Sequence, residues 1–216
     1  MRLSLRLLAL IGWCAVLGAG SVGSPAHAAL IGDTAVPFSA DRTVVSDGKT
    51  YQGRVYGVPG KQRHEQEVNG LNFVSLLRAD RRLAWLVLPD LKIYSEFAFP
   101  DAVNELGDRG QLGAALGTET IGGQRTTKYR VKHQGTDGSA VDGFIWLTAD
   151  GIVMRLNGTY TPTHGKTVDA SLELSNLKLG SQPAELFELP PGAKPLPPEA
   201  VQQLLGGLKF AKPHKS

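Results

Sequence analysis

The sequence predicts a mainly β protein, in which a single curled antiparallel sheet forms an unclosed β-barrel with one or two short helices. Apolar or alternating segments recur about every ten residues, a spacing typical of antiparallel strands rather than βαβ units. Turn dipeptides such as Asp47-Gly48 and Asn69-Gly70 separate these segments. The 26 Gly and 13 Pro also favour a turn-rich β protein over a helical bundle. A sheet with so little helix must curl to hide its apolar face.

The first block of the chain contains six predicted strands, each followed by a turn signal. They cover residues 38–45, 49–56, 61–68, 71–78, 82–88 and 91–97. Residues 101–116 then interrupt the pattern, because their apolar residues have partial helical spacing. Three glycines in that segment would each weaken a helix by about 1 kcal/mol relative to Ala. We therefore expect a marginal helix or a mobile loop there.

The second block starts near Thr118 and shows clearer alternation. In residues 127–133, Tyr129 and Val131 share one face, and Lys128 and Arg130 share the other. Turn signals at 137–138, 150–151 and 157–158 delimit further predicted strands over 141–148, 152–156 and 168–174. The segment 190–198 is Pro-rich and is predicted to be extended. A short helix is predicted from Pro198 through Leu205, followed by a basic tail.

Residues 1–28 have the pattern of a cleavable secretory signal peptide. Arg2 and Arg6 supply the positive start, and 7–17 is an apolar stretch too short for a comfortable membrane span. Ala26-His27-Ala28 matches the small-residue cleavage pattern, which predicts a cut after Ala28. The alternative is an uncut signal anchor. The pattern favours export to the periplasm.

We expect one domain over 29–190, followed by a Pro-rich segment, short helix and tail over 191–216. The single cysteine, Cys14, lies in the signal segment, so the mature chain has no disulfide or zinc–thiolate chemistry. Removing Arg2 and Arg6 leaves 21 basic against 20 acidic residues. That balance argues against nucleic-acid binding. No later stretch is long and apolar enough for a transmembrane segment.

Catalytic and metal-binding motifs are not apparent. His64-Glu65-Gln66-Glu67 resembles the start of a zinc-protease motif, but position 68 is Val rather than the second His. His133, Asp137 and Asp142 flank one hairpin, where charged residues are usually only solvated. The nucleophile elbow, the Walker loop and a dinucleotide-binding glycine motif are all missing. The sequence therefore predicts a protein that is not an enzyme and has no metal or cofactor.

Large apolar side chains recur on neighbouring predicted strands and are candidates to line a cavity for an acyl or polycyclic ligand. The alternative is that they pack an ordinary core. Two arginines are candidates for contact with a ligand head group, although strand-surface arginines are common. The candidate binding residues are Phe73, Trp85, Tyr94, Phe97, Phe144, Trp146, Met154, Arg63 and Arg78.

The segments 58–65, 73–89 and 182–190 resemble motifs of the LolA/LolB-like periplasmic lipoprotein-carrier superfamily. Residues 58–65, with Pro59 and Arg63, resemble that family's "Pro…Arg" strand. Residues 73–89 resemble its "SDG…LW…P" hairpin, and 182–190 resemble its "lFe.P.g" ending. The resemblance implies an unclosed antiparallel β-barrel with helices over its opening, and a hydrophobic cavity for lipoprotein acyl chains or another lipid.

The leading hypothesis is a periplasmic carrier that binds a lipid or acyl chain in cell-envelope lipid or lipoprotein trafficking between the membranes. The alternative is a non-catalytic interaction or envelope-sensing module on the same fold. In that case a protein partner would bind an exposed strand edge or the concave face of the sheet.

Overall fold

The structure is a computed structural model that describes residues 34–46, 48–68, 70–98, 112–163 and 166–201. The predicted signal peptide, its cleavage site and the basic tail lie outside these residues, as does most of the predicted 101–116 segment. No helix in the described part of the chain is long and apolar enough to cross a membrane.

Twelve strands within the described residues form one sheet. They are β1 Phe38–Ser46, β2 Lys49–Val58, β3 Lys61–Val68, β4 Leu71–Arg78, β5 Leu83–Leu88, β6 Ile93–Ala98, β7 Ala115–Ile121, β8 Gln124–Gln134, β9 Ala140–Leu147, β10 Val153–Thr161, β11 Val168–Leu179 and β12 Lys194–Pro195. The sheet order is β12-β6-β5-β4-β3-β2-β1-β11-β10-β9-β8-β7. Neighbouring strands are antiparallel except for β12 beside β6, which is parallel. The predicted mainly β, curled and unclosed sheet is confirmed.

Helical structure is limited to short pieces among the described residues. Single 3-10 turns cover Ala79–Arg81, Pro89–Leu91 and Ala184–Phe187, and a helical turn begins at Pro198. The first two turns end at Arg82 and Lys92, which adopt left-handed φ angles of 53° and 52°. The turns predicted after β4 and β5 are therefore present.

The turn predicted at Asn157-Gly158 is wrong, because β10 continues through it to Thr161. Gly158 lies directly opposite Gly143 on β9. A Cβ at Gly158 would come within 2.6 Å of the Gly143 Cα. This glycine is needed for close approach of two backbones and not for a chain reversal, and sequence alone does not distinguish the two uses.

The sheet has an inner and an outer face. The inner face is the one that carries Ala40, Val44 and Val55, all buried members of the largest apolar cluster. Every second residue along each strand shares this face. Leu156 and Leu172 extend this face across β10 and β11. Because the sheet is a single layer, its curl brings these side chains together and hides them from water.

A C-terminal segment, residues 183–201, ties the first block together, and we call it the strap. Its 3-10 turn lies on the outer face, where the Leu186 carbonyl accepts a hydrogen bond from Arg63 Nη1 at 3.1 Å. At the edge of the sheet, Leu196 N donates to Tyr94 O at 2.7 Å. Val201 then packs into an inner-face cluster. The strap therefore passes from the outer to the inner face around β6 and protects that edge strand.

Phe187 of the strap is 2% exposed, as is Val201. We expect Phe187→Ala to lower the free energy of unfolding by about 3–5 kcal/mol, because a buried aromatic side chain leaves a cavity. Leu179→Ala is the control, since Leu179 is 60% exposed and its loss is expected to change stability by less than about 0.5 kcal/mol. Urea unfolding followed by circular dichroism measures both. Equal small effects would show that the strap is not part of the cooperative fold.

Candidate ligand-binding site

The nine candidate residues do not share one face of the sheet. Phe73, Phe97 and Met154 lie on the inner face, as their cross-strand partners and burial show. The other six candidates lie on the outer face: Arg63, Arg78, Trp85, Tyr94, Phe144 and Trp146. A single cavity lined by all nine is therefore not formed.

The split follows from the strand β5, which is apolar at every position from Leu83 to Leu88. Such a strand has no polar alternation, so the sequence does not indicate which face a given residue occupies. The register places Trp85 opposite Leu76 and therefore on the outer face. Phe73 lies opposite Gln66, on the inner face.

Trp85 and Tyr94 form a small second core on the outer face, under the strap. They belong to a cluster with Leu76 and with Leu189 of the strap. The Trp85 Nε1 donates a hydrogen bond to Glu96 Oε2 at 2.9 Å. These aromatic side chains therefore hold the strap on the sheet.

Arg78 is the centre of the ionic contacts that also hold the strap. It is 3% exposed, and its Nε and Nη2 donate to the two Asp80 oxygens at 2.8 and 2.7 Å. Its Nη1 donates to Glu188 Oε2 at 3.1 Å, and Lys61 Nζ donates to Glu188 Oε1 at 3.2 Å. The hydrogen bond from Arg78 lowers the pKa of Asp80. With Arg63 on the Leu186 carbonyl, both predicted head-group arginines contact the strap.

Phe144 and Trp146 lie on the outer face of β9 beneath cationic side chains. Lys128 Nζ is 4.7 Å from both ring centroids. Arg130 lies 4.7 Å above Phe144, and Arg155 lies 5.6 Å above Trp146. Cations stacked on aromatic faces stabilise such a surface when they are partly desolvated. These two rings therefore lie beneath cations on the outer face, and Trp146 is nevertheless buried, at 5% exposed, as a member of the largest apolar cluster.

The inner face between β3 and β6 carries an apolar patch, which we call the inner patch. It has five buried and five partly exposed members. The buried members are Val68, Phe73, Leu86, Leu88 and Val201, and the partly exposed ones are Tyr51, Leu71, Ile93, Phe97 and Leu196. Met154 is completely buried in the largest cluster, away from this patch.

A group of polar side chains lies beside the inner patch, and we call it the inner polar cluster: Arg42 and His64, which are buried, and Gln62 and Gln66, which are partly exposed. Arg42 Nη2 donates to Gln66 Oε1 at 2.6 Å, and Nη1 donates to His64 Nδ1 at 3.3 Å. Arg42 and Gln66 both lie opposite Gly53 on the intervening β2. The Arg42 side chain reaches across Gly53 of β2 to β3.

Sequence reasoning did not identify the inner polar cluster as a site. A signal was present in β3, which reads Lys-Gln-Arg-His-Glu-Gln-Glu from position 61. Every second residue is charged, and those residues lie on the outer face. The neutral Gln62, His64 and Gln66 therefore lie on the inner face.

His64 is neutral in this arrangement. Arg42 is a donor only, so His64 Nδ1 accepts its hydrogen bond, and Nε2–H donates to Gln62 Oε1 at 3.0 Å. Burial, and then the charge of Arg42, hold the pKa of His64 well below its usual value of 6.5. The imidazole thus sets the orientation of the guanidinium without adding charge.

The pleat of β3 places the residues of the candidate zinc motif on opposite faces of the sheet. His64 lies on the inner face, whereas Glu65 and Glu67 lie on the outer face. His133 and Asp142 likewise lie on opposite faces of β8 and β9. Among the described residues, no three His, Cys, Asp or Glu side chains are grouped as metal ligands would be.

A groove of about 370 Å³ crosses the outer face of β1, β11 and β10. Its lining is mostly hydroxyl, amide and charged groups, which do not suit an acyl chain. The lining residues are Thr43, Val45, Arg155, Asn157, Ser171, Leu172, Glu173 and Ser175.

No model of a known protein family matches the chain. No curated protein matches it either. Among solved structures, it is similar to an uncharacterized conserved protein from Thermus thermophilus, at 17% identity and a TM-score of 0.46, covering 76% of this chain and 91% of that one. It is also similar to the LolA superfamily protein NE2245 from Nitrosomonas europaea, at 11% identity and a TM-score of 0.35, covering 72% of this chain and 90% of that one.

A third similar structure is MucB in complex with MucA(peri), at 14% identity and a TM-score of 0.43, covering 74% of this chain and 57% of MucB. A LolA superfamily protein is therefore among the similar structures, as the residue pattern predicted. At identities of 11–17% and TM-scores of 0.35–0.46, the likeness concerns the fold alone.

The neutral His64 predicts acid-sensitive stability. Because the folded pKa is lowered, the unfolded chain binds a proton that the folded chain does not, once the pH falls below about 6.5. The stability contributed by neutral His64 is fully present above that pH. It is lost as the pH falls, at about 1.4 kcal/mol per pH unit.

We expect the wild-type free energy of unfolding to fall more steeply between pH 6.5 and 5 than that of His64→Gln, which keeps a polar side chain but does not titrate. Urea unfolding at a series of pH values measures both slopes. Parallel profiles would show that His64 does not control this loss.

Proposed function

We propose that this chain is a periplasmic binding protein that carries an acyl-chain ligand, such as a lipid or a lipoprotein acyl chain, on its inner patch. The observation that supports the proposal is the set of partly exposed apolar side chains at that patch, with Leu71 and Phe97 at its rim. A carrier of this kind needs no catalytic group. Its place in the cell envelope is proposed from the signal-peptide pattern of residues 1–28.

Burial of an acyl chain alone provides enough free energy for useful affinity, without a covalent bond or an ion pair. Each buried methylene contributes about 0.8 kcal/mol. About ten methylenes therefore contribute about 8 kcal/mol, the scale of a micromolar Kd before the cost of ordering the ligand. A carrier that must both bind and release its ligand needs a moderate affinity of this kind.

The two faces of the sheet differ in their suitability for an acyl chain. On the outer face, Trp85 is covered by the strap and Trp146 is covered by Lys128 and Arg155. On the inner face, Phe97 and Ile93 remain partly exposed. In this proposal the ligand therefore binds on the inner face, and the aromatic side chains of the outer face have a structural role.

A second candidate function is a protein-interaction module. The terminal strand β7 has exposed residues at six of its seven positions, and no strand in the described part of the chain pairs with its outer edge. The opposite end of the sheet is capped by β12. An extended segment of an envelope protein would add to β7 by backbone hydrogen bonds.

The test uses the mature protein purified from a bacterial periplasm and native mass spectrometry, followed by organic extraction and lipid analysis. We expect a co-purifying lipid with the wild-type protein and its loss in Phe97→Glu, because a carboxylate at the inner patch opposes an acyl chain. Leu71→Glu makes the same change at a second position of the patch.

Phe144→Glu is the matched control. It places the same carboxylate on the outer face. Lys128 and Arg130 lie 4.7 Å from the Phe144 ring there and can form ion pairs with it. This variant is expected to keep the lipid. Loss of lipid from Phe144→Glu but not from the folded Phe97→Glu or Leu71→Glu variants would assign the ligand to the outer face. A wild-type protein that takes up no lipid from envelope extract would favour the interaction module.

A further inference from the structure

Two neighbouring cross-strand rows form the groove of about 370 Å³ on the outer face of β1, β11 and β10, and we call it the outer groove. In the first row, Val45 lies opposite Ser171, and Ser171 lies opposite Asn157. These short side chains leave room above the sheet and form the floor of the groove. Each of the three strands is hydrogen bonded to a neighbour on both sides, so the floor lies on rigid backbone, as a binding site requires.

The second row forms a wall of the groove and contains an ion pair. Thr43 lies opposite Glu173, which lies opposite Arg155. Arg155 Nε donates to Glu173 Oε2 at 2.8 Å, and the guanidinium is 5.6 Å from the Trp146 ring centroid. Glu119, outside the lining, is a further 3.7 Å neighbour of Arg155 Nη1. Because the cation of the wall is already paired, the groove does not favour an anionic ligand.

The remaining polar groups of the lining are neutral. Three are hydroxyls and one is a carboxamide: Thr43, Ser171, Ser175 and Asn157. Within the described residues, none of these four side chains is hydrogen bonded to another protein group. Hydroxyl and carboxamide groups both donate and accept hydrogen bonds. A ligand with several neutral hydroxyl groups therefore finds partners in the groove, and Val45, which is 38% exposed, adds an apolar contact.

We propose that the outer groove binds a neutral saccharide, whose hydroxyl groups hydrogen bond to Asn157 and Ser171 on the floor and to the Arg155–Glu173 pair at the wall. Arg155 donates and Glu173 accepts, an arrangement that suits two adjacent sugar hydroxyls. This site is separate from the acyl-chain site of the proposed function, because the groove and the inner patch lie on opposite faces of the sheet. The two proposals are therefore tested independently.

The experiment titrates the isotope-labelled mature protein with two neutral trisaccharides, maltotriose and tri-N-acetylchitotriose, and follows its backbone amide signals by NMR. Two charged trisaccharides serve as comparators: the deacetylated chitotriose, which is cationic, and trigalacturonate, which is anionic. We expect at least one neutral trisaccharide to bind, with shifts concentrated at residues 43–45, 155–157 and 171–175. Both charged trisaccharides are expected to bind more weakly.

The variant that tests the floor combines Asn157→Ala with Ser171→Ala. It is expected to weaken binding of the neutral trisaccharide about tenfold or more, as expected for the loss of two neutral hydrogen bonds. Thr159→Ala is the matched control. Thr159 lies on the same face of β10, outside the lining, and its hydroxyl donates to the Asp142 carbonyl at 3.4 Å. This variant is expected to keep the wild-type affinity.

Three results would overturn the inference. They are the absence of shifts with both neutral trisaccharides at millimolar concentration, shifts that map to another part of the chain, and tighter binding of a charged trisaccharide. Asn157 is exposed and Ser171 is partly exposed, so we expect the double variant to fold. The wild-type titration needs no variant and tests the inference on its own.

Discussion

A single sheet must bury one of its own faces, and the rest of this structure depends on that constraint. In the described part of the chain, Ala40, Val44 and Val55 are 0–1% exposed on the inner face of a one-layer sheet. Burial without a second full layer requires the sheet to curl. The curl separates an interior, where polar groups are costly, from an exterior, where they are solvated.

The outer face shows how this fold uses aromatic side chains outside its main core. In the first half of the sheet, Trp85 becomes buried because the strap lies over it and Arg78 binds Glu188. In the second half, Trp146 is a buried member of the largest apolar cluster, and Lys128 and Arg155 stack on its ring. Two tryptophans that look equivalent in the sequence are thus covered in different ways, one by chain and one by cationic side chains.

The inner face carries the apolar patch on which the proposed function rests, and the buried Arg42 and His64 lie beside it. Arg42 and Gln66 both lie opposite Gly53 of the intervening strand and are hydrogen bonded across it. Burial of apolar surface is the interaction that would supply affinity for an acyl chain.

The sequence by itself determined the fold class, because strand alternation and turn residues are local signals. Six strands of the first block and the turns after β4 and β5 could be read from it. It did not determine the face of Trp85, since β5 is apolar at every position, nor the use of Gly158, which depends on Gly143 of another strand. Only the tertiary structure showed that Arg63 and Arg78 hold the strap and that Arg42 lies inside. Those roles arise from cross-strand register and from a segment more than 100 residues away along the chain, and no local pattern carries that information.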